Sequence, residues 1–155
     1  MAVTEDTITN LIGGYLRDNG TDALTQITES TPEAYSQPDY KVENGGIFWG
    51  EAKWESKKWQ GFGEARDYGQ LPGAEGAFLI SYPDELKNDG IQQGITGDIE
   101  DSSLGDYTYS CAFLRRDNPT DTTELGLEEI PGWIDSNIKK EREPYQDPEQ
   151  VMALA

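Results

Sequence analysis

The sequence predicts an α/β domain in which a central mixed sheet of four or five strands is flanked by helices. Three observations carry this expectation. Apolar residues near the start recur at Ile8, Leu11, Ile12, Tyr15 and Leu16, the spacing of a helix with one buried stripe. Asn44-Gly45 sits between two strand-like runs, and Asn-Gly supplies the positive φ angles of a tight hairpin. Ala77 to Tyr82 is a continuous apolar run, the pattern of a strand covered on both faces.

Thr4 caps the first helix, and Glu5 and Asp6 suit the positive end of its dipole. Gly13 and Gly14 each weaken that helix by about 1 kcal/mol relative to Ala, so packing on a sheet must hold it. Asn19-Gly20 supplies its stop. Residues 22–29, DALTQITE, alternate as a first strand. Asp39 to Val42 and Ile47 to Glu55 form a hairpin around Glu43-Asn44-Gly45-Gly46. Trp59 to Leu71 is helix-like, with Trp59, Phe62, Ala65 and Gly69 on one side and Pro72-Gly73 at its end. The expected order is therefore helix, three strands, helix, strand.

Residues 84–106 are polar and Gly-rich and read as a loop or short helix before a strand at Tyr107 to Leu114. Within 118–140, the segment Ile130-Pro131-Gly132-Trp133 is expected to cover one edge of the sheet. Asp147-Pro148-Glu149 opens a helix with barely two turns before Ala155, and is read as the lead into a downstream domain.

A chain of 155 residues with 35% hydrophobic content buries one ordinary core, so a single domain is expected, its core at about 4–83 and further strand and edge-covering segments at 84–146. Cys111 is the single cysteine and there is no histidine, which excludes zinc fingers, zincins and every Cys/His catalytic pair. Cys111 is most simply a small buried hydrophobe. The start does not resemble a signal peptide and no apolar run approaches membrane-spanning length, so a soluble, cytoplasmic protein is expected.

Thirty acidic residues against twelve basic ones give a net charge of −18. The acids are spread through structured-looking, aromatic-containing segments, unlike a disordered acidic tail. A solvated acidic surface with only seven lysines fits a halophilic origin, where the screening length falls to roughly 3 Å at 1 M salt. A surface that imitates DNA is the other reading of the same charge.

Side chains at i and i+2 of a strand share a face, so Ile47, Trp49, Glu51, Lys53 and Glu55 point one way and Phe48, Gly50, Ala52 and Trp54 the other. The second set, apolar and partly small, suits close packing of a helix. The first set carries a carboxylate and an ammonium about 7 Å apart along the strand. The hairpin brings Asp39 beside Glu51. Paired carboxylates repel unless a cation lies between them, and Mg²⁺ typically takes one or two carboxylates, leaving its other positions to water and phosphate. Such an ion activates water, and a nearby lysine offsets charge on a phosphate, all without histidine. The triplet Glu51-Ala52-Lys53 alone is unspecific in so acidic a chain, since Glu55-Ser56-Lys57 and Glu85-Leu86-Lys87 share its pattern. Its context is distinctive: Pro38-Asp39, a hairpin turn, the triplet, an amphipathic helix and a buried strand.

On Pro38-Asp39 and Glu51-Ala52-Lys53 within that order of elements, the chain resembles the PD-(D/E)XK nuclease superfamily with its restriction endonuclease-like fold, over about residues 4–83. The Thr-Glu before the first helix, Gly20, Pro38-Asp39-Tyr40 and Gly50-Glu51-Ala52-Lys53 are similar to N-terminal nuclease domains of multidomain restriction and phage-defence proteins. The resemblance implies Mg²⁺-dependent (or Mn²⁺-supported) hydrolysis of DNA phosphodiesters to 5′-phosphate and 3′-hydroxyl ends. It also implies Asp39 and Glu51 as metal ligands, Lys53 as the catalytic lysine, Glu5 assisting from the first helix and Gln70 approaching from the second. Trp54 and Trp59 are expected as core or edge packing, and Glu29 and Glu33 as surface acids. Against the overall charge, Lys53, Lys57, Lys58 and Arg66, with Arg115 and Arg116 on an adjacent strand, are expected to form a basic rim for DNA. No sequence reader is evident, so target choice falls to a partner or downstream domain, and cutting both strands needs two sites, which a homodimer supplies. The alternative from another class is a nuclease-like fold that only binds, or an acidic DNA mimic, for which an inward Lys53 has no use.

Overall fold

The computed structural model describes residues 5–25, 37–87, 107–115 and 121–142. Helix α1 (Glu5–Asp18) is followed by strands β1 (Ala23–Leu24), β2 (Tyr40–Glu43) and β3 (Ile47–Trp54). A 3₁₀ turn over Glu55–Lys57 leads into α2 (Lys58–Tyr68), then β4 (Ala74–Tyr82), β5 (Thr108–Arg115), β6 (Asp121–Gly126) and α3 (Ile130–Arg142). The architecture is α/β, as expected. The six strands lie side by side in chain order, antiparallel throughout except for the parallel pair β3 and β4. A parallel pair needs a crossover, and α2 provides it.

The hairpin turn forms where Asn44-Gly45 predicts, with Gly45 at φ 76°, a backbone angle that costs glycine little. Its register sets Tyr40 opposite Gly50, so Asp39 stands at the position opposite Glu51. Alternation along β3 then divides its side chains between two cores. One face packs Phe48, Ala52 and Trp54 against Ile8, Ile12 and Leu16 of α1 and Ile130, Ile134 and Ile138 of α3. The other packs Trp49 and Leu79 against Ala65 and Tyr68 of α2. The molecule is thus a three-layer sandwich.

Small residues set how closely α1 approaches. A Cβ on Gly13 would lie 2.9 Å from Thr25 Cγ2 and 3.2 Å from Tyr40 Cε1, so glycine there allows α1 to close on β2. The Tyr40 hydroxyl then donates to the Thr9 carbonyl at 2.7 Å, satisfying a buried donor. Gly50 has the same role inside the sheet, because a Cβ would overlap the buried ring of Phe78. Among the described residues no helix is long and apolar enough to cross a membrane.

Three expectations are corrected. The sheet has six strands, not four or five: Asp121–Gly126, polar and Thr-rich, is β6, an edge strand whose composition reflects exposure on one side. The segment from Ile130 forms α3 and covers a face, not an edge, because Pro131 falls in the first helical turn, where its missing N–H is harmless. Trp59 is 77% exposed and packs into no core, whereas Trp54 is buried edge-on to Tyr82 at 4.6 Å as expected. Of the first expected strand, Ala23–Leu24 is extended, and residues 26–29 lie outside the described residues, as do Glu29, Glu33, Arg116, residues 88–106 and the helix start at 147–155.

Candidate active site

The C-terminal half of β3, the residue preceding β2 and the first turns of α2 converge on the α2 face of the sheet. Asp39 is fixed twice: its backbone N–H donates to the Gly50 carbonyl at 2.9 Å, and its Oδ2 accepts from the Ala52 N–H at 2.9 Å. These bonds bracket Glu51 and hold the two carboxyl groups against each other. Glu51 is 3% exposed. Lys53 Nζ lies 3.7 Å from Glu51 Oε1 and 3.3 Å from Glu64 Oε2, with the lysine side chain 14% exposed.

Glu64, which sequence reasoning did not single out, is therefore part of the cluster. It projects from the second turn of α2 and also accepts from Gln60 Nε2 at 3.2 Å. Its placement follows from Gly61. A Cβ on Gly61 would lie 2.6 Å from Lys53 Cγ and 2.9 Å from Leu79 Cδ1, so only a glycine lets α2 ride directly over the lysine stem. Glu64, one turn on, then reaches the ammonium. The signal in the sequence was the acid three residues after a glycine in the helix that follows the triplet, legible only once the helix's rotation on the sheet is known.

Proximity of buried carboxyl groups dominates the electrostatics. Burial, the Asp39 charge and hydrogen bonding to Asp39, followed by the influence of Glu64, push Glu51 up to about 10. Burial also raises Asp39, opposed by the Ala52 N–H, by hydrogen bonding with Glu51 and by Lys53. Burial and the neighbouring acids thus favour the protonated form of Glu51, while the Ala52 N–H favours the ionised form of Asp39. Glu51 Oε2 is fully buried and receives no hydrogen bond from the described residues. Its carboxyl neighbours are Asp39 and Glu64. Two acceptors in contact require a proton or a cation between them.

The residues present fit a divalent cation in number and chemistry. Asp39 and Glu51 supply two adjacent carboxylates with an unused oxygen, the complement Mg²⁺ takes when water and phosphate complete its shell. Among the described residues no group of three or more acidic, histidine or cysteine side chains forms a ready-made metal cage. That agrees with Glu64 being engaged by Lys53.

The remaining expected residues divide. Glu5 is the first residue of α1, whose body packs on the opposite face of the sheet; its side chain lies outside the described residues. Gln70 is exposed in the turn after α2 ends at Tyr68, and it leads to Ala74, which pairs with Ile47 at the far end of β3 from Lys53. The structure does not bring Gln70 to the carboxyl pair. Lys57 and Arg66 are exposed, the first in the turn that leads into α2 and the second on α2. Arg115 is not part of it: it hydrogen-bonds Asn137 of α3 on the opposite face. Comparison with protein-family models, curated proteins and solved structures yields no match.

Proposed function

We propose that this chain is a metal-dependent DNA endonuclease domain with a restriction endonuclease-like core of the PD-(D/E)XK type, acting in restriction or defence against foreign DNA. The observation that carries this reading is the buried Glu51 carboxyl, with one donor-less oxygen, pressed against Asp39 and flanked by an inward-pointing lysine. A merely structural ion pair has no reason to bury two acids on one base. Replacing such a cluster by apolar residues is often neutral or stabilising, so its retention suits chemistry better than stability.

When bound, Mg²⁺ supplies Lewis-acid polarisation of a phosphoryl group and acidifies water. Asp39 and Glu51 are the residues that would hold the ion, and holding it would require both carboxyls to be ionised. Lys53 presents N–H donors where negative charge grows on the phosphate and orients the attacking water. Glu64 aims that ammonium through their 3.3 Å ion pair, and Gly61 keeps the helix from displacing it. The DNA-mimic reading fares worse, because a lysine 14% exposed between carboxylates contributes nothing to a phosphate-like surface.

Plasmid nicking tests this directly. In high KCl the chain is expected to convert supercoiled to open-circular DNA with Mg²⁺ or Mn²⁺, and to leave it intact with EDTA or when Asp39 is replaced by Ala. Undamaged plasmid in every arm, with the ion shown to be bound, removes the hydrolytic reading.

A further inference from the structure

The flank of α2 that faces away from the carboxyl pair holds a second feature. Trp59 is 77% exposed, which is uncommon for the largest apolar side chain and is not explained by packing. Its ring lies 6.4 Å from that of Phe62, with Lys58 Nζ 5.8 Å above it, and Arg66 stacks 5.6 Å from Phe62 on the next turn. Beneath these rings opens a cavity of about 180 Å³ between α2 and the sheet, floored by Leu79, Ser81, Ser110 and Thr122. It is smaller than the ~300 Å³ at which drug-sized ligand pockets begin, so it suits one planar ring, not a whole nucleotide.

Its position relates it to the carboxyl site. Ser81 is the register partner of Lys53 on the adjacent strand, so the cavity begins one strand away from the lysine, about 5 Å in the hydrogen-bonding direction. The depression beyond it, lined by Glu55, Glu85 and Glu124, repels phosphate. A nucleic-acid backbone at this place is therefore confined to the side of Lys57, Lys58 and Arg66.

We infer that Trp59, Phe62 and the cavity beneath them bind one unstacked nucleobase of single-stranded DNA, holding a strand across α2 beside the carboxyl site. This rests on the nuclease reading for its choice of DNA as ligand. Aromatic stacking with cations along the backbone path is how proteins hold single strands without reading sequence. The Ser and Thr hydroxyls flooring the cavity offer hydrogen bonds to a base edge. On an acidic protein in screening salt, stacking also supplies affinity that phosphate contacts cannot.

Titration of a fluorescein-labelled oligothymidylate, followed by anisotropy in EDTA so that no cleavage occurs, tests the inference with the intact chain. Intrinsic fluorescence is read in parallel, since Trp59 is the exposed tryptophan among the described residues. Expected are quenching on binding, a loss of affinity of about tenfold or more for Trp59→Ala, and substantial rescue by Trp59→Phe. Equal affinity for wild type and Trp59→Ala, or no binding of the single strand at all, overturns it. The two readings fail separately: unchanged oligothymidylate affinity in Trp59→Ala beside intact plasmid nicking sinks only the stacking site, whereas stacking without nicking sinks only the hydrolase.

Discussion

Replacing Lys53 with Ala will lower the rate of DNA cleavage by roughly 10²–10⁴-fold while leaving divalent-ion binding in place. The ammonium sits 3.7 Å from Glu51 and 3.3 Å from Glu64, so on the proposed function it adjoins a metal ligand without being one. Removing it deletes a donor aimed at developing charge and leaves Asp39 and Glu51 free to hold the ion. The measurement is single-turnover cleavage at saturating Mg²⁺, alongside ion titration of the same variant. A variant that cuts at near wild-type rate would show that Lys53 is only a counterion. Lys53→Arg is expected to recover little, because a planar guanidinium does not reproduce a compact ammonium held between Glu51 and Glu64.

The second large effect is a separation of stability from activity at Glu51. Its folded pKa, pushed up to about 10 by burial and the neighbouring acids, lies far above the 4.5 of a free carboxyl. The sign follows: the contribution is fully present below about pH 4.5 and is lost as pH rises towards 10, because the unfolded chain ionises and the folded site resists. Asp39, also raised by burial, acts in the same direction. The ion-free wild type should therefore lose stability between pH 6 and 9. Glu51→Gln, which keeps the shape and the hydrogen bonding of the protonated acid, should flatten that slope. It should also be more stable than wild type at pH 9 by more than ~2 kcal/mol, since each pKa unit is worth about 1.4 kcal/mol. The same variant should not cleave DNA. Thermal unfolding in EDTA across that pH range decides it, and parallel slopes for the two proteins would mean that Glu51 ionises freely in the folded state.

How much of this was legible beforehand follows from what each signal depends on. The hairpin was readable because Asn44-Gly45 is a local cause with a local effect, and its register then placed Asp39 opposite Glu51. The first two helices and the apolar strand at Ala77–Tyr82 were readable from periodicity, since burial of one face or two imposes it. Strand β6 was not, because an edge strand solvated on one side can be built from Asp, Thr and Glu. Helix α3 was hidden by Pro131-Gly132, which reads as a breaker unless the helix is known to start there, although Ile130, Ile134 and Ile138 carry the spacing. Glu64 and Gln70 show the same limit from both sides. Which helix residue faces a site depends on the helix's rotation and on where it ends, and these are set by Gly61 against Lys53 and by the turn at Gly69, both tertiary facts. Trp59 reads as core or edge packing because tryptophan usually packs, whereas the fold leaves it 77% exposed.

The charge of −18 takes on a local meaning beside this site. Acidic surfaces discourage polyanions, yet on the proposed function the residues that would meet a phosphate are Lys53, Lys57, Lys58 and Arg66, gathered on α2, its leading turn and the strand beneath. Binding is then expected to depend on the ion and on stacking more than on counterion release, giving a shallower salt dependence than a basic nuclease shows.

Titrating Mg²⁺ into the intact chain at pH 7, by calorimetry in two buffers of different ionisation enthalpy, tests the shared proton between Asp39 and Glu51 most directly. The structure predicts binding of an ion with release of about one proton in the wild type, the same release in Lys53→Ala, because removing a neighbouring cation favours the protonated acid further, and no binding in Asp39→Ala. Ion binding that releases no proton from the wild type, or that survives loss of Asp39 unchanged, would contradict it.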